Sequence, residues 1–108
     1  MNTELFESFI SGLADVLNAC ADRVILYGSV ARGTDTPESD VDIALILRRK
    51  LTFEEEDRLL DLITELNLKY DVVLSTVDID AQLFAEWSQK LPFYRNIQNE
   101  GRVLWNAA

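Results

Sequence analysis

Two aspartates placed two residues apart, Asp40 and Asp42, are the residues of this 108-residue chain best suited to chemistry. They stand where a short apolar segment begins, and alternate residues of a β-strand point to the same face of a sheet. Their Cα atoms would then lie roughly 7 Å apart, so both carboxylates could hold one cation. Mg²⁺ suits such a pair because it binds carboxylate oxygens and keeps other positions for water and phosphate.

A glycine and a serine, Gly28-Ser29, precede Asp40 by ten intervening residues and follow another short apolar segment. Glycine allows the backbone to approach a ligand closely, and the amides of a following helical turn favour an anion. The Ser29 hydroxyl can donate a further hydrogen bond to a phosphate oxygen. Either pair alone is common at turns and strand ends, but the two together at this spacing indicate a phosphate site beside a cation site.

A third carboxylate, Asp71, begins the next predicted strand, which we expect to be parallel to the strand of Asp42. The amino ends of parallel neighbours lie at one edge of a sheet, so Asp71 would complete a three-carboxylate site with Asp40 and Asp42. Two Mg²⁺ ions roughly 3.5–4 Å apart would then activate an attacking hydroxyl and neutralise a leaving pyrophosphate. Taken alone, Asp71 is more often a residue that starts a strand than a metal ligand.

Helical spacing of apolar residues predicts the elements that surround these side chains. The predicted helices span residues 3–20, begin at Thr52, and begin at Asp80. Asn2 or Thr3 caps the first helix, and Glu55 completes a capping box with Thr52. Pro92 is expected to end or kink the last helix, because proline cannot donate a backbone hydrogen bond.

Four short apolar segments predict the strands: Arg23–Tyr27, Val41–Leu47, Asp71–Thr76 and Val103–Trp105. The link between the first two strands is too short for a comfortable crossover, so we expect them to pair antiparallel. The helix between the second and third strands favours a parallel pair. The expected fold is α/β (α+β), a small mixed β-sheet flanked by helices, and the length predicts one domain over residues 1–108.

The chain is acidic, with a formal net charge of −9 and a pI near 4.3. Such a surface repels phosphate backbones, so no direct nucleic-acid binding is expected. A protein partner with a basic face would suit it, although the charge is also consistent with solubility alone. No apolar run approaches the ~20 residues of a membrane span, and the first residues lack the regions of a signal peptide. We therefore expect no membrane association and a cytoplasmic location.

The chain has no histidine, which excludes Ser–His and Cys–His catalytic pairs. Its one cysteine, Cys20, cannot form an internal disulfide and is expected to be a buried thiol on the first helix. Trp87, Phe93 and Tyr94 are expected to pack the last helices, with an interface patch as the alternative.

The spacing of Gly28-Ser29 and Asp40-Val-Asp42 resembles the signature of the DNA polymerase β nucleotidyltransferase superfamily. The fuller string over residues 28–45 is similar to that of its smallest members, the minimal nucleotidyltransferases. The similarity continues through residues 70–74 and 100–105, so it covers most of the chain. This resemblance implies the nucleotidyltransferase fold.

The resemblance also implies a role for each matching residue. Gly28 and Ser29 would hold the β- and γ-phosphates of an NTP, and Asp40 and Asp42 would ligate Mg²⁺. Asp71 would occupy the third carboxylate position and help to deprotonate the acceptor hydroxyl.

Arg32 belongs to the same motif, and the resemblance implies a contact with phosphate. The residues nearby offer an alternative, because Arg32 could instead pair with Asp35 or Glu38.

The implied reaction is attack by a hydroxyl on the α-phosphorus of ATP with release of pyrophosphate. The chain resembles minimal nucleotidyltransferases that act as antitoxins by adding AMP to a tyrosine of a HEPN-family RNase toxin. We therefore expect a HEPN toxin as partner in a hetero-oligomer. Two alternatives stay open. The chain could neutralise the toxin by binding without catalysis, or it could modify a small molecule such as an aminoglycoside in a pocket completed by a second subunit.

Overall fold

A mixed four-stranded sheet carries helices on both faces in the computed structural model, which describes residues 3–17 and 19–107. The strands are β1 (Ala21–Tyr27), β2 (Val41–Leu47), β3 (Leu74–Asp80) and β4 (Arg102–Asn106). The helices are α1 (Thr3–Leu17), α2 (Gly28–Arg32), α3 (Phe53–Tyr70), α4 (Ala81–Trp87) and α5 (Pro92–Glu100). None of these helices has the length and apolarity that a membrane span requires.

The strand order is β3-β2-β1-β4, with β1 antiparallel to both β2 and β4 and with β2 parallel to β3. This pairing confirms the predicted mixed sheet. The long helix α3 supplies the crossover that a parallel pair needs, whereas the short α2 and its loop connect β1 to β2 as antiparallel neighbours.

β2 lies at the centre of the sheet and is buried on both faces, as its nearly continuous apolar sequence predicts. One face carries Val41, Ile43 and Leu45, which pack with α1 and α3. The opposite face carries Ala44 and Ile46, which pack in a second core with residues of α4 and α5. Because side chains alternate along a strand, Asp42 points to this second face.

The predicted start of the third strand at Asp71 is wrong, because α3 continues to Tyr70 and β3 begins at Leu74. Asp71 ends the helix in the left-handed conformation (φ 51°, ψ 52°), with its N–H donating to the carbonyl of Asn67. The Asn67 side chain then accepts a hydrogen bond from the backbone N–H of Leu74 at 2.9 Å. These contacts turn the chain sharply, so the strand starts later than its apolar residues indicate.

Two further expectations are adjusted by the structure. Pro92 begins the separate helix α5 rather than kinking α4, because its fixed φ suits the first turn of a helix. Cys20 is buried as predicted, but it follows α1, and its thiol donates to the carbonyl of Arg49 at 3.4 Å. The predicted cap Asn2 lies outside the described residues, and Thr3 is the first residue of α1.

The predicted capping box at the start of α3 is confirmed. The Thr52 hydroxyl accepts from the Glu55 N–H at 3.1 Å, and the Glu55 carboxylate accepts from the Thr52 N–H at 2.8 Å. Arg49 adds two hydrogen bonds to the same carboxylate, at 2.7 and 3.0 Å. The start of α3 is thereby tied to the loop that leaves β2.

Glu55→Gln is expected to make the stability of the fold depend less on pH in the acidic range. Hydrogen bonds from Arg49 and the Thr52 backbone lower the pKa of Glu55 to about 2. A carboxylate whose pKa is lower in the folded state stabilises the fold at pH values above its unfolded pKa. This contribution is lost as the pH falls through the folded pKa. Thermal melts should therefore show a lower Tm for Glu55→Gln near neutral pH, with the difference from wild type shrinking between roughly pH 4.5 and 2. Glu54→Gln is the control, and an equal pH dependence in both variants would contradict the assignment.

Candidate functional site

Asp42 is the second residue of β2 and lies between two hydroxyl-bearing neighbours in the sheet. The antiparallel register places it opposite Tyr27 of β1, and the parallel register places it opposite Ser75 of β3. Residues paired in this way direct their side chains to the same face. The Asp42 carboxylate is therefore half-buried and flanked by a phenol on one side and a serine hydroxyl on the other.

The charge of Asp40 acts on the Asp42 carboxylate. Burial raises the pKa of Asp42, the nearby charge of Asp40 raises it further, and Arg32 partly opposes both. Asp40 itself precedes β2 and is exposed. A half-buried carboxylate beside a second, exposed carboxylate is a hard oxygen donor set that a divalent cation would stabilise, so the two residues fit Mg²⁺.

Gly28 lies directly against the Asp42 carboxylate. Its backbone is in the left-handed region (φ 75°), and a Cβ atom added there would overlap Asp42 Oδ2 and lie 3.1 Å from Cγ. Only glycine fits this position, both because of its conformation and because of its neighbour. The structure thus brings the first residue of α2 and the carboxylate into contact, so a phosphate held by this backbone would adjoin a cation held by Asp42.

Ser29 is the next residue of α2 and is half-buried. Its carbonyl accepts from the N–H of Thr34 at 2.9 Å, which folds the segment after α2 back on the helix. Gly33 ends α2 in the left-handed conformation at φ 75°. The turn that the sequence predicts after Gly28-Ser29 is therefore present as a short helix, which Gly33 closes at its C-terminal end and which has no side-chain cap at its N-terminal end.

Arg32 pairs with Glu100 at the end of α5, with Nη1 3.4 Å from Oε2. The predicted partners Asp35 and Glu38 are wrong, because Gly33 turns the chain after α2 and α5 packs against α2. Both side chains of the pair are about half exposed, so the ion pair contributes little stability and leaves Arg32 available to a ligand. Its guanidinium is near enough to the Asp42 carboxylate to lower the pKa of Asp42.

Asp71 does not form a three-carboxylate cluster with Asp40 and Asp42. Across residues 3–17 and 19–107, no three Asp, Glu, Cys or His side chains lie close enough to hold one metal ion. The left-handed turn at Asp71 sets this residue before β3, and Ser75 takes the place beside Asp42. The role of Asp71 as a third ligand stays a prediction.

Sequence reasoning missed two neighbours of Asp42 and a third residue that packs on one of them. Tyr27 and Ser75 are its neighbours in the sheet, and Phe93 of α5 meets the Tyr27 ring edge-on at 5.7 Å between centroids. Burial and the charge of Asp42 raise the pKa of the Tyr27 phenol. Tyr27 directly precedes the Gly-Ser pair and could have been noticed, whereas Ser75 and Phe93 follow only from the register and from helix packing.

The family model described as Polymerase beta, Nucleotidyltransferase matches residues 18–108 of this chain. Two proteins of Methanocaldococcus jannaschii, each named as a proposed protein adenylyltransferase, are similar to it in sequence. One is 38% identical over 97% of this chain and 100% of the relative. The other is 34% identical over 68% of this chain and 75% of the relative.

Solved structures share the fold at low sequence identity. A toxin–antitoxin complex with AMP-PNP matches at a TM-score of 0.64 with 21% identity, over 94% of this chain and 73% of the other chain. A complex of tri-AMPylated Shewanella oneidensis HEPN toxin with MNT antitoxin matches at a TM-score of 0.61 with 18% identity, over 99% of this chain and 74% of the other. At these identities the likeness concerns the fold alone.

Proposed function

Because this chain belongs to the polymerase β nucleotidyltransferase family and is a nucleotidyltransferase, we propose that it transfers AMP from ATP to a hydroxyl group of another protein. The observation that carries this proposal is the contact between the Gly28 backbone and the Asp42 carboxylate. This contact supports the proposal, because a phosphate held at Gly28 would then adjoin a cation held by Asp42. The relatives named as proposed protein adenylyltransferases support a protein acceptor.

In the proposed reaction, the backbone at Gly28 and the Ser29 hydroxyl hold the phosphates of ATP, and Arg32 adds a positive charge. Asp40 and Asp42 would hold Mg²⁺, with Asp71 proposed as a third ligand. Bound Mg²⁺, in one or two ions, supplies charge neutralisation and lowers the pKa of the acceptor hydroxyl. The acceptor oxygen forms a bond to the α-phosphorus while the bond to the β-phosphate breaks. The hydroxyl proton passes to a carboxylate, and pyrophosphate leaves.

We propose a HEPN-family toxin as the acceptor protein, modified on a tyrosine hydroxyl within a hetero-oligomer. The structural relatives include a tri-AMPylated HEPN toxin in complex with an MNT antitoxin, which supports this choice. The charge supports it as well, because a protein that binds RNA needs a basic surface, and a net charge of −9 attracts such a surface.

Incubating the purified chain with ATP, Mg²⁺ and a HEPN-family protein from the same genome tests the proposal. Intact mass spectrometry should show the HEPN protein gaining the mass of whole AMP groups, and peptide mapping should place them on tyrosine. Reactions without Mg²⁺, or with the Asp40→Asn/Asp42→Asn variant, serve as controls. A HEPN protein that binds the chain but keeps its original mass would exclude the transfer reaction.

A binding antitoxin is the second candidate, and one observation favours it. Among the described residues no group of three His, Cys, Asp or Glu side chains could hold a metal ion, so the third carboxylate that the resemblance implies is not beside Asp40 and Asp42. Under this alternative, the Asp40→Asn/Asp42→Asn variant would neutralise the toxin as well as the wild type does. A small-molecule acceptor would instead give AMP transfer to an aminoglycoside without any protein partner.

A further inference from the structure

An exposed apolar surface lies on α4, on α5 and on the turn between them. It consists of Leu83, Trp87, Leu91 and Phe93, which are 46%, 40%, 43% and 46% exposed. These are four of the nine large apolar side chains that are exposed among the described residues. We call them the α4–α5 surface.

The members of this surface are local neighbours. Leu83 and Trp87 are four residues apart on α4 and so lie on one side of the helix. The Trp87 carbonyl then accepts from the Leu91 N–H at 3.0 Å, which closes the turn before α5. Phe93 follows within the first turn of α5. Large exposed apolar patches of this kind mark binding sites more often than isolated exposed residues do.

The exposed apolar residues of α3 are arranged differently. Phe53, Leu60 and Leu68 are separated by seven and eight residues, which is roughly 10–12 Å along the helix axis. Of the residues between Phe53 and Leu60, all but Leu59 are charged, and Asp61 and Glu65 lie between Leu60 and Leu68. Exposure on α3 is therefore scattered, and Phe53, at 88% exposed, offers a matched control site.

Packing of the sheet does not explain the α4–α5 surface. On the sides of α4 and α5 that face the sheet, Phe84, Tyr94 and Ile97 already pack in the second core. The ammonium of Lys90 lies 5.4 Å from the centroid of the Trp87 ring, which is 40% exposed. Phe93 packs on Tyr27 and Tyr94, as the prediction of helix packing requires, but 46% of Phe93 and 40% of Trp87 stay exposed. The exposed parts leave the alternative of an interface patch open.

Phe93 joins this surface to the candidate active site. Its ring meets the ring of Tyr27 edge-on, and Tyr27 is the sheet neighbour of Asp42. Leu83 lies at the far end of the sheet, near Leu47 and Asp80, so Phe93 is the member of the surface that leads toward Asp42. A protein that contacts Phe93 would approach the Tyr27 end of β1, where the candidate site begins.

We propose that the α4–α5 surface binds the acceptor protein, an inference that rests on the proposed function because it assigns the face that receives the acceptor. The partner is a basic protein, attracted by the net charge of −9 of this chain, with an apolar patch that packs on Trp87 and Leu91. Its hydroxyl-bearing side chain passes Phe93 and Tyr27 to reach Asp42. Phe93 is thereby a positioning residue for the acceptor.

Trp87→Glu and Leu91→Glu test this assignment, with Phe53→Glu as the control that makes the same change of charge at a remote exposed site. Initial rates of AMP transfer from ATP to a HEPN-family protein are measured over a range of acceptor concentrations, and ATP with Mg²⁺ is titrated by calorimetry. The surface variants should raise KM for the acceptor at least about tenfold, while kcat and the Kd for ATP stay within about twofold. Phe53→Glu should match the wild type, and circular dichroism confirms folding of each variant.

An unchanged KM in both folded surface variants would overturn the assignment, as would an equal rise in Phe53→Glu. Weaker ATP binding in the surface variants would also overturn it, because the surface would then serve the nucleotide. Self-association that the surface variants abolish, together with an unchanged KM, would assign the surface to a second copy of the chain instead. If the wild type modifies no HEPN protein, the proposed function itself is wrong. If the wild type is active and the surface variants are equally active, only the assignment of the surface is wrong.

Discussion

Replacing Asp42 with asparagine is expected to lower the rate of AMP transfer by about a thousandfold or more while leaving the protein folded. Asparagine keeps the shape of the side chain but removes the charge that holds Mg²⁺. Burial and the charge of Asp40 both raise the pKa of Asp42, so its ionised form is unfavourable in the metal-free protein. The variant should therefore have a Tm at neutral pH at least as high as that of the wild type.

Asp78→Asn is the matched control for this experiment. Burial and Glu56 also raise the pKa of Asp78, but this carboxylate lies on β3 opposite Leu45, three residues along β2 from Asp42. Transfer of AMP to a HEPN-family protein should be unchanged in Asp78→Asn. Equal activity of Asp42→Asn and the wild type would mean that Asp42 does not act in catalysis, and a parallel loss in Asp78→Asn would point to a general effect of charge.

Gly28→Ala is expected to remove AMP transfer almost completely and to destabilise the fold by about 1–3 kcal/mol. Two costs add at this position, since an L-residue is strained at φ 75° and its Cβ would overlap Asp42 Oδ2. The carboxylate must move away, and the backbone that receives phosphate moves with it. Chemical denaturation and the AMP-transfer assay measure the two effects separately.

Gly33→Ala separates the strain from the overlap. Gly33 has the same φ of 75°, but a Cβ added there meets nothing within 4 Å. It should cost only the backbone strain, about 1 kcal/mol, and leave most of the activity. In an Asp42→Ala background the stability cost of Gly28→Ala should fall toward that of Gly33→Ala, because the overlapping oxygen is gone. Equal costs of Gly28→Ala in both backgrounds would contradict the contact between Gly28 and Asp42.

The sequence by itself determined the features that depend on neighbouring residues. The ends of β2, the cap of α3 at Thr52 and the cap of α4 at Asp80 all agree with the structure. Each follows from residues within a few positions of each other, through alternating side chains or a hydrogen bond to the next turn. The Gly-Ser and Asp-x-Asp motif belongs to the same class, because one loop between two strands sets its geometry.

Only the tertiary structure decided which distant residues meet. Glu100 rather than Asp35 pairs with Arg32 because α5 packs against α2. Ser75 rather than Asp71 lies beside Asp42 because a left-handed turn ends α3 and sets the register of β3. A one-residue change of register reverses the face of every side chain in a strand, and apolar content alone does not specify it. Local patterns therefore predicted the elements, and packing chose the partners of the candidate site.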